Sequence, residues 1–151
     1  MTLMANRMFS TTHPCCAPLR QGHTVGSVGK GSANLVSIVP YFKVLKGNEA
    51  KFKTLVTDGF YPRMTAEAEP LCLFYNFTYG EADGVMIAHC REVYEGAQGV
   101  LTHLTNVDAQ LQQATAMAEL FRIEVHGPQA ELDQLDEPLK GLNPTYFVQS
   151  T

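Results

Sequence analysis

His89 and Arg91 lie two residues apart in the run from Val85 to Val93, and Arg122, Glu124 and His126 lie at the same spacing from Leu120 to His126. Side chains two apart on a strand share a face, so each run would collect its polar groups on one side. An imidazole that titrates near neutrality can take a proton, a guanidinium can stabilise the resulting anion, and a tyrosine can orient an aromatic ring. Tyr75, with Asn76 beside it, supplies the ring. His103 is a second candidate base. These types together suit deprotonation of a small aromatic molecule, with His89 or His103 as base, Arg91 or Arg122 on the oxyanion, and Asn76, Glu124 and His126 among the binding groups. The structural alternative is a satisfied salt-bridge network in which Arg122 or Arg91 pairs with Glu124. For His103 the alternative is a capping or core-edge histidine, and for Tyr75 and Asn76 ordinary strand positions.

The elements that must hold these residues follow from periodicity. Leu35 to Leu45 reads as a strand, with Pro40 implying an edge or a bulge. From Glu49, with Asn48 as a plausible N-cap, Phe52, Leu55, Val56 and Phe60 have helical spacing, which weakens at Tyr61-Pro62. Leu71 to Tyr79 and Val85 to Val93 form a hairpin around a Gly80 to Gly84 loop. If that loop is five residues long, Tyr75 stands opposite His89 and Phe77 opposite Ile87. At Glu95-Gly96 the period changes, and Ala97, Val100, Leu101, Leu104, Val107, Leu111, Ala114 and Ala118 define a helix on which His103 sits roughly 80° from the centre of the apolar stripe. The strand Leu120 to His126 turns Phe121, Ile123 and Val125 to the helices and Arg122, Glu124 and His126 away from them. Pro128 starts a helix with the seam Leu132, Leu135 and Leu139 and with Gly141 as its C-terminal cap, and Thr145 to Gln149 is a last strand. The order βαββαβ, extended by a helix and a strand, is an α+β ferredoxin-like plan.

Composition sets limits on partners. The 151 residues, 45% hydrophobic and 17% charged, suit one core-forming domain. A net charge of −4 argues against nucleic acid and anionic membranes as partners, and no apolar run approaches the ~20 residues that span a bilayer. Cys15, Cys16, Cys72 and Cys90 have no metal-site spacing, so no metal is expected, and Cys72 and Cys90 read as packed thiols. Residues 1–33 lack Asp and Glu and read as a flexible N-terminal segment ahead of a domain at 34–151. A cytoplasmic location is expected, or an organelle if that acid-poor segment is a transit peptide.

Tyr94-Glu95-Gly96-Ala97 followed by His103-Leu104-Thr105-Asn106 resembles the strand-to-helix segment of the antibiotic-biosynthesis-monooxygenase-like family, whose members are dimeric α+β barrels. The resemblance covers about 35 to 126. It implies a homodimer closed sheet face to sheet face, with the terminal strand able to cross to the partner, and oxidation of a phenol or quinol by dioxygen without metal, flavin or other cofactor. His103 falls at the family's helix histidine. The second histidine that often follows is replaced by Val107-Asp108, and the absence of tryptophan removes a residue used by the haem-degrading branch. Two other functions share this fold: a non-catalytic, stress-related or ligand-binding barrel, and a lyase or isomerase acting in the same cavity.

Overall fold

The computed structural model describes residues 34–150, so the readings of residues 1–33 as a flexible or transit segment lie outside the described residues. The strands are β1 (Leu35–Val44), β2 (Cys72–Ala82), β3 (Val85–Glu95), β4 (Ala118–Gly127) and β5 (Thr145–Val148), in the sheet order β2-β3-β1-β4-β5. Helices α1 (Glu49–Thr54), α2 (Gly96–Asn106), α3 (Asp108–Met117) and α4 (Gln129–Leu139) cover one face. The first four strands pair antiparallel in the ferredoxin-like arrangement, and β5 joins β4 of its own chain in parallel. No helix among the described residues is long and apolar enough to cross a membrane.

The apolar alternation of the strands meets the helices in two clusters. One centres on Phe42, Phe52, Val56, Phe60 and Phe77 under α1 and α3, the other on Val36, Tyr94, Val100, Val125, Leu132 and Leu135 under α2 and α4. Pro40 lies in the central strand β1 and not at an edge; the β1–β3 ladder has no pair at Val39 or Pro40, and the β1–β4 register shifts at Tyr41/Phe42. A proline without an N–H interrupts the ladder there. That shift alters one expectation: Leu120 opposes Phe42 and packs into the core, while Phe121 is exposed on the open face.

The hairpin corrects a larger one. Its turn is Asp83-Gly84, both at positive φ (53° and 73°), with Ala82 paired to Val85. Two left-handed central residues match the twist of the flanking strands, so the strands run on through Gly80. Tyr75 therefore opposes Glu92, and Phe77 opposes Cys90. The offset from the five-residue loop is odd, and it carries Tyr75 and Phe77 from the open face to the helix face.

Three smaller expectations change. The stripe from Ala97 to Ala118 is two helices, broken at Val107 (φ −106°), and β4 begins at Ala118. Asn48 makes no side-chain cap; the Glu49 carboxylate accepts instead from the Gly47 N–H at 2.9 Å. Beyond α4 a short 3-10 turn follows, and Asn143 (φ 50°), not Gly141, takes the left-handed position.

Helix α2 is fixed to the sheet at its first turn. Gly96 adopts φ 75°, and the Ala97 N–H donates to Glu131 Oε2 of α4 at 2.7 Å, which satisfies one of the free donors at the helix start. Gly99 lets the helix approach closely: a Cβ there would lie 2.8 Å from Tyr94 Cβ and 3.1 Å from Leu71 Cβ. Gly99→Ala should therefore lower stability by about 1–3 kcal/mol through overpacking. Urea denaturation measures this, and an unchanged midpoint would mean that α2 can shift freely.

Candidate active site

Burial selects the site. The buried polar side chains among the described residues are Glu69, Glu92, His103 and Gln110, and the first three meet beneath α2. Glu92 reaches this side because it shares the strand parity of Ala88, Cys90 and Tyr94, all buried under the helices. Glu69 comes from the irregular segment before β2, whose turn is held by the Glu69 N–H donating to the Thr65 carbonyl at 2.8 Å. His103 comes from the sheet-facing side of α2.

The imidazole bridges the two carboxyl groups. Nδ1 lies 3.0 Å from Glu69 Oε1, and that oxygen also accepts from Asn106 Nδ2 at 2.8 Å. A carboxylate only accepts, so Nδ1 carries the proton and donates. Nε2 stands 3.6 Å from Glu92 Oε2, beyond hydrogen-bond distance. Tyr94 Oη donates to the same Glu92 oxygen at 2.8 Å. The Tyr75 and Tyr94 rings flank the imidazole, with centroids 5.2 and 5.4 Å away.

Burial pushes the Glu92 carboxyl above the usual range, and Glu69 adds to this; His103, Tyr94 and Cys90 oppose it without reversing it. Burial likewise raises Tyr75, Tyr94 and Cys90 well above their ordinary values. The Cys72 thiol is pushed up to about 12, by burial first and then by Glu69 and Glu92. These phenols and thiols are neutral at physiological pH. His103 Nε2 thus faces a carboxyl group whose proton affinity burial raises.

Of the residues expected from sequence, His103 and Tyr75 meet here. His89, Arg91, Arg122, Glu124 and His126 do not; they lie on the opposite, open face. His89 packs on Tyr41 at 4.6 Å, with Nδ1 2.9 Å from the Thr78 hydroxyl. Arg122 lies over the Tyr41 ring at 5.3 Å and pairs with Glu124, and His126 lies 3.5 Å from Glu124 and stacks on Phe147 at 4.6 Å. Arg91 lies over Phe74. His89 is held below its ordinary value by burial and by Arg91, against Glu124. Tyr75, expected opposite His89, is therefore separated from these groups by the sheet. Asn76, on edge strand β2, accepts from Tyr61 Oη at 3.3 Å. Glu69, Glu92, Tyr94 and Asn106 were not expected in a site.

Between the ordinary carboxylate pKa and its raised value in the fold, Glu92 retains a proton that the unfolded chain has released. Stability then falls as pH rises through that window. Glu92→Gln should melt a few degrees higher than the parent at neutral pH, and the gap should close as the solution is acidified to the ordinary carboxylate range. Melting curves across pH measure this; a variant less stable at neutral pH would show an ionised Glu92 paired with the imidazole.

Similar folds occur among solved structures. MupZ of Pseudomonas fluorescens is 35% identical, with a TM-score of 0.69 over 78% of this chain and 92% of MupZ. A proposed antibiotic biosynthesis monooxygenase of Chloroflexus aurantiacus J-10-fl is 14% identical, with a TM-score of 0.50 over 63% of this chain and 93% of its own. Rv0793 of Mycobacterium tuberculosis is 17% identical at a TM-score of 0.50, over 63% and 95%. Neither a protein-family model nor a curated protein matches the chain.

Proposed function

Because the chain belongs to the antibiotic-biosynthesis-monooxygenase-like family, we propose that it is a cofactor-independent monooxygenase whose His103 deprotonates a small phenolic or quinol-type substrate. One observation carries this reading. His103 is held by Glu69 through Nδ1, and Nε2 faces a buried carboxyl group whose proton affinity burial raises. The Glu69–imidazole contact orients the base and stabilises the imidazolium that forms, as a carboxylate does for a histidine base elsewhere.

The chemistry balances without an external reductant. His103 Nε2 takes the phenolic proton, and the electron-rich anion passes an electron to dioxygen. The radical pair joins at a ring carbon as a peroxide. Cleavage of the O–O bond leaves one oxygen on carbon as a carbonyl, and the other departs as water, taking one proton from Glu92 or the imidazolium and one from the substrate carbon. A phenol and one dioxygen thus give a quinone and one water. Tyr75 and Tyr94 supply the ring faces against which the substrate would lie.

His103→Ala should lower oxygen consumption with a responsive hydroquinone by about 10²–10⁴. Glu69→Gln should also lower kcat, while His89→Ala, on the other face, should leave it within about threefold. Equal loss in His89→Ala and His103→Ala would move the site to the open face. The facing acid and base also favour a second reading, a lyase or isomerase that removes and returns a proton within one site. Turnover that persists under nitrogen selects it.

The open sheet face favours a homodimer. Phe74, Phe121 and Phe147 are exposed there, beside an Arg122–Glu124–His126 array already paired within the chain. A second copy meeting this face would bury apolar area without stranding charge. Sedimentation at micromolar concentration should give about twice the monomer's 16.6 kDa; a mass near the monomer value would remove the barrel.

A further inference from the structure

Nε2 of His103 is enclosed. The residue is 4% exposed, and the Tyr75 and Tyr94 rings flank its imidazole. The two principal cavities among the described residues lie elsewhere, one between α4 and β5 and the other at the hairpin end of the open face. A substrate therefore reaches the imidazole only when part of its cover moves. Tyr75, Glu92 and Tyr94 stand on paired strands and His103 on α2, all fixed by ladder or helical hydrogen bonds. The rest of the cover is the irregular stretch from Thr65 to Pro70, which carries Glu69 onto Nδ1.

In that stretch Thr65, Ala66, Glu67, Ala68 and Pro70 are exposed, and Glu69 alone is buried. Its anchor is thus a carboxylate. A cover that only sealed a core would be held by an apolar side chain, which needs neither a partner nor the desolvation of a charge. The hold comes instead from the last residue of α2: Asn106 Nδ2 donates to the Arg63 carbonyl at 3.1 Å and to Glu69 Oε1 at 2.8 Å. One carboxamide so clasps both ends of the stretch. Between them a local turn aims Glu69, with the Glu69 N–H on the Thr65 carbonyl at 2.8 Å and the Ala68 N–H on Thr65 Oγ1 at 3.2 Å. Segments with few buried apolar contacts open at the smallest cost in free energy. On opening, the Glu69 carboxylate regains its hydration, which offsets the contacts it loses.

We propose that residues 65–70 are a strap over the His103 site, clasped by Asn106, which opens to admit substrate to Nε2 and closes by returning Glu69 to Nδ1. This deepens the reading of His103 as the base and rests on it. Asn106 does not touch the imidazole; it is a positioning residue that acts through Glu69 and the Arg63 carbonyl. Closure excludes water and orients the base in one motion, as the closing of a loop does in other enzymes.

The test is the rate at which diethyl pyrocarbonate modifies His103 in the full chain, followed by peptide mass mapping. In the parent the rate should be far below that of N-acetylhistidine and should not change with urea below the unfolding transition, the mark of a local opening. Asn106→Ala should raise it about tenfold to a hundredfold, since it removes two hydrogen bonds, one of them to a carboxylate. Thr65→Ala, on the exposed turn where the core is not disturbed, should raise it about twofold to fivefold and asks the same question if Asn106→Ala does not fold. Modification at the rate of N-acetylhistidine, modification that follows global unfolding in urea, or rates unchanged in the folded variants would each overturn the strap. None of these outcomes depends on turnover, so the strap can fail with His103 still the base, and the loss of activity expected in His103→Ala is judged separately.

Discussion

The contact between His103 and the two carboxyl groups is the constraint around which α2 is built. Taking three ionisable groups out of water costs several kcal/mol per ion unless each finds a partner. The structure meets this with one shared imidazole, two donors on Glu69 Oε1 and the Tyr94 hydroxyl on Glu92. Those partners must be held closely. Gly96 turns the chain from β3 into α2, Glu131 caps the new helix from α4, and Gly99 brings it against Tyr94. A helix displaced outward by the width of one methyl would lengthen the contacts that make the burial tolerable.

The sheet then separates two polar systems of different character. On the helix side the groups are buried, and proton affinity is set by the loss of water, as the raised Glu92 shows. On the open side Arg122, Glu124 and His126 compensate one another in partial contact with solvent. A chemical step that depends on excluding water belongs with the first system. The second is better suited to a surface, because it presents aromatic rings whose neighbouring charges are already paired.

Much of this was legible in the sequence where periodicity decides the element, and the βαββαβ order with its added helix and strand follows from the apolar spacing. The side of each residue was harder, because one odd shift in register reverses a strand. Asp83-Gly84 carried the signal for a two-residue turn, and Gly80 drew the loop boundary too early. Once β3 was assigned, Glu92 was also legible: it shares the parity of Met86, Ala88 and Cys90, which placed a carboxyl under the helices. Glu69 had no such signal. It lies in an irregular segment whose path is set by turns and by contacts with α2, and no period reports on those.

Val107-Asp108 stands where the resemblance led one to look for a second histidine. Val107 is buried where α2 ends, and Asp108 opens α3 facing solvent, accepting from Gln112 at 2.8 Å. Neither reaches the imidazole. The second titratable group comes from the strand instead, as Glu92. The exchange alters the chemistry available, since a histidine there would be a second base, whereas burial raises the proton affinity of the Glu92 carboxyl. It also bears on stability: Glu92 ionises at a cost in this fold, and a neutral isostere would remove that cost.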